Sequence, residues 1–399
     1  MNARSGNTAT ATAMTAPLTV SSGYRRAAFV MMTVGGLGVA AGLWLAPQRT
    51  WSNLLLNNFY LLSIGLAGGV LLCFHFLSGA GWSASLRRVP EAMMAGLPVM
   101  AALVITLFFG RHSLYAWSRP EAVSPPLPPD KAFYLSTPFV LVRMLVVLGL
   151  WVWLASRIRR TSLAQDDDAS LDRHRSLVRH AAAFAVVFAL SFSLASVDWL
   201  MSLDPHWFST IFAVYTFAGV VEIGLAVTTL IVLLLRDRGP LRGIVTESHL
   251  RDLGTLLFAF STFWAYIWLS QYLLIWYGNL PEEITYYARR TGPQWVFLFL
   301  LNLVVNWGVP FVALLSRASK RNPRVLGGVC LVLLLGHWLD LYLAIMPETV
   351  STPTFGIWEA VIPLGYLGLF LFLIARALAA APILPLGDPF LEESLHPHA

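Results

Sequence analysis

Apolar residues run in long blocks along this chain, and the polar residues gather between the blocks instead of alternating within them. A block of about 20 apolar residues, rising ~1.5 Å per residue as a helix, crosses a ~30 Å hydrocarbon core. Ten such blocks occur, near 27–46, 54–78, 91–110, 135–155, 180–200, 209–235, 252–278, 293–315, 325–346 and 355–379. The pattern predicts an all-α polytopic membrane protein of ten transmembrane helices. Pro98 interrupts the third block, and the fifth runs outward into Asp198 and Asp204. The connections are too short for a large soluble domain, so the chain divides into a tail at 1–26, a membrane domain at 27–379 and a second tail at 380–399.

Composition agrees with a bilayer as the solvent, since 57% of the 399 residues are apolar and 12% are charged, against roughly 25% charged in soluble domains. The net charge of +6 reports topology before it reports nucleic acid. Arg4, Arg25 and Arg26, Arg87 and Arg88, the groups Arg157–Arg179, Arg236–Arg251 and Arg317–Arg324, and Arg376 place 20 of 27 basic residues on one side. Six fall on the other side (Arg49, Arg111, Arg119, Lys131, Arg289, Arg290), and Arg143 alone lies inside a block. The positive-inside bias then puts both termini in the cytoplasm of a bacterial inner membrane, with lipid and no nucleic acid as partner. Tyr24-Arg25-Arg26 superficially resembles a twin-arginine export signal. The apolar run behind it is too long for a signal segment, and two arginines are an ordinary cytoplasmic flank.

The two cysteines, Cys73 and Cys330, stand singly inside helices, outside any CxxC or CxxCH context. Covalent haem, iron–sulfur and structural zinc sites are therefore not expected, and no cofactor or metal is assigned to this chain. His75 near the inner end of helix two and His337 well inside helix nine differ in depth by about 13 Å. That separation argues against their holding one haem between them.

A shift of 159 residues aligns Ile64-Gly65-Leu66-Ala67 with Ile223-Gly224-Leu225-Ala226, Ser63 with Glu222, Trp117 with Trp276 and His112 with Gln271. Near the same shift, Leu145-Val146-Val147 matches Leu303-Val304-Val305. A shift of 142 aligns Asp198 with Asp340, each seven residues before a proline, Pro205 and Pro347. These matches point to an internal duplication, with helices 2–5 and 6–9 forming two parallel-repeat four-helix bundles (about 54–200 and 209–346) flanked by helices 1 and 10.

Ionisable groups at membrane depth cost roughly 3 kcal/mol even on insertion scales, so they face a bundle interior and find partners. Arg143, about 12 Å from the outer end of helix four, suits a charge pair with Asp198. His337 and Asp340 share a face of helix nine, Asn302 and Asn306 share one of helix eight, Glu222 is central in helix six, and Gln271 lies between Trp268 and Tyr272. Glu222, His337, Asp340, Asp198, Gln271, Asn302 and Asn306 form a candidate proton path, which needs titratable groups in a depth series. His112, Arg143, Asp198, Asp204 and His206 form a candidate quinol-side or outer polar cluster. A quinol site would need an apolar, aromatic-lined slot beside a His or carboxylate that takes a proton. The plain alternative is structural pairing between helices, worth ~0.6 kcal/mol per contact. His75 reads as bonded to a neighbour, the 15 tryptophans as interfacial belts, and Asp166-Asp167-Asp168 as a solvated loop.

Four segments carry a resemblance: "SVDWLMSLDPHWFSTIFAVYTFAG" (196–219), "HLRDLGTLLFAFSTFWAYIWLSQYLLIWYGNLPEE" (249–283), "VNWGVPFVALLSRASKRNP" (305–323) and "HWLDLYLAIMP" (337–347). They resemble signatures of the ActF-type membrane subunit of alternative complex III, and Asp198, Asp204, His206, Glu222, Gln271, Glu282 and His337 fall within or beside them. The resemblance implies an NrfD-like fold of ten helices in two four-helix bundles. It also implies membership of a quinol:cytochrome c oxidoreductase that oxidises menaquinol or ubiquinol. The partners implied are a related NrfD-like membrane subunit, an iron–sulfur subunit and c-type cytochrome subunits, which carry the iron–sulfur clusters and haem c. The resemblance leaves open whether the quinol site lies in this chain or in the related subunit. Two other classes stay open, a scaffold without a quinol site and a secondary transporter, which would interrupt paired helices at a midplane site.

Overall fold

The computed structural model describes residues 18–119, 121 and 123–396. Arg4 and most of the first tail, and residues 397–399 of the second, lie outside the described residues. Ten helices among the described residues are long and apolar enough to cross a membrane. They are α1 (Ser22–Leu45), α2 (Pro47–Ser78), α3 (Arg88–Leu114), α4 (Thr137–Asp167), α5 (Leu171–Leu203), α6 (Phe212–Arg238), α7 (Glu247–Gly278), α8 (Val296–Ala313), α9 (Pro323–Thr349) and α10 (Ile357–Leu378).

Local chemistry sets their ends. Pro47 opens α2 at a position where a missing N–H costs nothing. Asn322 caps α9 by accepting from the Arg324 and Val325 amides at 2.9 and 3.4 Å. Asn279 closes α7 with a left-handed φ of 49°. Pro98 has its expected effect on the turn before it, where α3 loosens at Ala95–Gly96, and farther on α3 tightens to a 3-10 turn at Leu107–Gly110. Several helices outrun their apolar blocks. α4 continues to Asp167 and α5 begins at Leu171, because charged turns extend each helix beyond the hydrophobic thickness. Asp166 is accordingly not loop: it sits in the last turn of α4 and pairs with Arg88.

α2, α6 and α9 are the most enclosed helices, whereas α1, α8 and α10 expose most of their surface. α2 packs on α3, α5, α6, α9 and α10, and α6 on α2, α5, α7 and α9. Without a hydrophobic force between helices in lipid, close approach through small residues carries the association. Gly224 of α6 lies so near Ala67 of α2 that an added Cβ would collide with it. Gly35 of α1 and Gly365 of α10 likewise meet backbone to backbone. The tryptophans correct the belt reading in part: Trp117, Trp151, Trp199, Trp207, Trp264, Trp268 and Trp295 are buried in the core.

One end of the bundle, bearing the connections 79–87, 168–170, 239–246 and 314–322, is the basic face. Residues after α10 return to it instead of trailing away. Ile383, Leu384, Asp388 and Ser394 are buried there. Asp388 pairs with Arg87, which also donates to Glu91 at 3.1 Å and Gln165 at 2.9 Å. Burial pushes the Asp388 carboxyl up, but a hydrogen bond from His75 and the charge of Arg87 outweigh it and hold the group at about 2. Ser394 Oγ stands 2.7 Å from Ser85 Oγ and 3.3 Å from His249 Nε2.

Candidate functional site

The most enclosed helices bring the central ionisable residues together. Glu222 lies ten residues into α6, about 15 Å from its N-terminal end, and is fully buried. His337 of α9 places Nε2 2.9 Å from Glu222 Oε2. Gly219, one turn before Glu222, leaves the space the imidazole needs, for its Cβ position is 3.4 Å from His337 Nδ1. Asp340, one turn along α9, is 4.0 Å from His337 Nδ1 and accepts three donors. These are the Tyr215 hydroxyl of α6, Asn302 Nδ2 of α8 at 2.7 Å and Trp264 Nε1 of α7 at 3.3 Å. Asn306 Nδ2 donates to Asn302 Oδ1 at 2.7 Å, which extends the network along α8. Trp264 also stands edge-on to the imidazole, with ring centroids 5.7 Å apart.

Helix geometry explains why α8 reaches in. A π turn at Val304–Gly308 rotates the helix between two α segments, and Asn302 and Asn306 flank and enter it. Such turns recur at functional sites. Beside His337 and Asp340 lies a cavity of ≈ 20 Å³ that Ser63, Tyr215 and Thr216 also line. A space of that size holds one water. Glu222 Oε1, Asn306 Oδ1 and Thr229 Oγ1 are buried without a hydrogen-bond partner among the described residues. Thr229 is two turns from Glu222 on the same face of α6, toward the basic face. Glu222 and His337 can thus exchange a proton directly, while Tyr215 and Asp340 face the opposite end of the bundle.

Two expected members fall outside this network. Gln271 is buried, but no hydrogen bond joins it to the cluster among the described residues; Trp264, two turns earlier on α7, holds the donor position on Asp340. Asp198 instead pairs with Arg143, at 2.8 and 3.0 Å. Arg143 also donates to the Tyr134 carbonyl at 2.9 Å, and its guanidinium lies 3.8 Å above the Tyr134 ring.

The outer cluster is likewise divided. Asp204 is 3.3 Å from Arg289, which also pairs with Glu348; Glu348 accepts from Arg290 at 3.0 Å. Arg290 is buried and donates to the carbonyls of Leu343 at 2.8 Å and Ala344 at 3.0 Å. Pro347 has no N–H for the Leu343 carbonyl, so the arginine replaces the missing helical donor. The backbone N–H of His206 donates to Asp204 Oδ1 at 3.1 Å. His112 stands apart: it is exposed and its ring lies 3.3 Å from Ser118 Oγ, because the 3-10 turn at Leu107–Gly110 precedes it and turns the end of α3. Glu282 is exposed on the short helix Pro281–Thr291.

An aromatic-lined apolar cavity of ≈ 310 Å³ lies between α2, α5 and α6, against Phe74, Phe188, Phe192 and Phe217, with no His or carboxylate in its lining. A second, of ≈ 240 Å³, shares Phe74 and ends at His75 and Arg87. His75 Nδ1 is 2.9 Å from Ser83 Oγ and Nε2 is 3.6 Å from Asp388.

Tyr215, Trp264, Arg289, Arg290 and Glu348 are site neighbours that sequence reading missed. The aromatic pair carries no signal inside apolar blocks, but the Arg289–Arg290 doublet on the sparsely basic side was a visible anomaly. Comparison with models of known protein families and with curated proteins finds no match.

Proposed function

We propose that this chain is the ActF-type membrane subunit of a respiratory or photosynthetic quinol:electron acceptor oxidoreductase of the alternative complex III kind. In this reading it sits in a bacterial inner membrane with both termini and the basic face in the cytoplasm. It supports oxidation of menaquinol or ubiquinol by an assembly whose haem c and iron–sulfur clusters sit on partner subunits. Its own contribution is proton movement. The observation that carries this reading is the buried set Glu222–His337–Asp340 with Tyr215, Asn302 and Trp264, drawn from four helices at mid-depth. Burying two carboxylates and an imidazole in a bilayer is costly. A relay repays that cost in a way that simple helix pairing, at ~0.6 kcal/mol per contact, does not.

The two-bundle repeat belongs to the same reading. Helix contacts support it: α2–α3, α2–α5, α3–α4 and α4–α5 have counterparts in α6–α7, α6–α9, α7–α8 and α8–α9. Arg143–Asp198 joins α4 to α5 much as Asn302–Asp340 joins α8 to α9, and Arg143 and Asn302 are within one residue of equivalence under the α4-to-α8 shift. The environments of Trp117, buried, and Trp276, exposed, do not correspond.

The test is to purify the native assembly carrying Glu222→Gln. The expected result is co-purification with haem- and iron–sulfur-bearing subunits and quinol turnover with proton release cut at least tenfold. A chain that purifies without electron carriers overturns the assignment. Unchanged proton release and turnover reject the relay and leave a scaffold.

A further inference from the structure

A cleft of ≈ 1080 Å³ opens on the basic face, where α6 ends, α7 begins and the α8–α9 connection passes. Arg236, Arg242, Arg321 and Arg324 line it together with Asp237 and Glu247. The arginines come from two stretches far apart in sequence, 236–242 and 321–324, so the fold and not a local run of charge gathers them. No ion pair engages any of the four among the described residues, whereas Arg87, Arg88, Arg143 and Arg290 are all paired with acids. The two acids leave the cleft with a surplus of two positive charges. α7 and α9 start at the cleft and α6 ends there, so two positive helix ends and one negative end meet it. Gly243, with φ of +81°, lines it with open space where a Cβ would be, so its backbone is approachable.

We propose that this cleft binds the phosphate headgroup of an anionic phospholipid. Unpaired guanidiniums suit phosphate oxygens, which accept paired, planar N–H donors. Each of the four lies at or within a few residues of the end of a membrane-length helix, which is headgroup depth. Basic pockets between helix ends are where anionic lipid headgroups lodge. The bilayer supplies this ligand at high local concentration, which favours it over soluble phosphate. The inference stands independently of the proposed electron-transfer role.

The full chain is placed in phosphatidylcholine nanodiscs doped with phosphatidylglycerol, extracted, and assayed for retained phosphatidylglycerol per chain. R242Q/R321Q is expected to weaken retention roughly 25-fold, about fivefold per arginine, and the single variants about fivefold each. R242K/R321K recovers only part of it, because lysine restores the charge without the paired donors. R25Q/R26Q, which removes the same charge from exposed residues on α1, changes it less than twofold. Wild-type thermal unfolding of every variant in pure phosphatidylcholine discs checks the fold. Equal loss in R25Q/R26Q overturns the site in favour of diffuse surface charge. Displacement of the lipid by millimolar inorganic phosphate or pyrophosphate overturns the lipid as ligand. Retention unchanged by the glutamines overturns the proposal and leaves the cleft to an acidic protein segment.

Discussion

Asp340 is the residue on which four helices converge, and Asp340→Asn tests that convergence with almost no change of shape. The carboxylate accepts from Tyr215, from Asn302 at 2.7 Å and from Trp264 at 3.3 Å. An amide can keep its oxygen toward Tyr215 and Asn302, which share one carboxylate oxygen, but its NH2 then confronts the Trp264 N–H. Stranding a buried donor costs about 1–3 kcal/mol, and replacing two charge-assisted bonds with neutral ones removes about 1 kcal/mol more. The expected loss is about 3 kcal/mol, read by equilibrium unfolding in mixed micelles. Trp264→Phe removes the stranded donor, so the double variant D340N/W264F should be more stable than the sum of the single losses by about 1–2 kcal/mol. Strict additivity in that cycle would refute the bonding scheme, because it would mean that Trp264 and Asp340 do not sense one another. A loss below 0.5 kcal/mol for D340N, roughly the size of an ordinary surface substitution, would show that the three donors are not held by this carboxylate.

Three further outcomes follow from the same structure. Arg143→Ala leaves Asp198 buried and unpaired and should cost about 3–5 kcal/mol, while Arg143→Lys recovers only part of this because it cannot replace the two-pronged contact; equal stability of the two variants in the same assay would contradict it. Gly224→Ala drives a Cβ into Ala67 and should destabilise by about 1–3 kcal/mol, whereas Gly149→Ala, with open space around it, should stabilise by up to about 1 kcal/mol. Asp388 is held at about 2 against an ordinary 3.8, so its contribution, about 2 kcal/mol, is complete above pH 4 and is lost as pH falls through 2. Limited proteolysis of residues 380–396 should therefore accelerate only at the acid end, and in Asp388→Asn it should already be fast at neutral pH.

The ten spans were legible because a bilayer demands unbroken apolar length, a signal that survives in any single sequence. Their ends were not, since the charged turns of α4, α5 and α7 continue the helices in a medium where hydropathy no longer reports structure. Glu222, His337 and Asp340 announced themselves as expensive groups inside apolar blocks. Tyr215 and Trp264 did not, because an aromatic residue in such a block looks the same whether it faces lipid or donates to a carboxylate. Gln271 and Asp198 were grouped with the cluster on depth alone, and depth does not say which neighbour a face meets. The burial of Asp388 and Ser394 was invisible for another reason: a short polar tail has no periodicity, and only the unpaired excess of Arg87 could have asked for an acid from elsewhere.

The backbone contact between Gly35 and Gly365 ties α1 to α10, two spans separated in synthesis by eight others. While the intervening eight helices are being inserted, α1 has the edge of α2 to rest on but lacks its main packing partner, and its glycine stripe stays open to acyl chains. The seating of α1 therefore waits for α10, and a product that stops short of Gly365 would leave a loose, lipid-facing segment for membrane quality control to recognise.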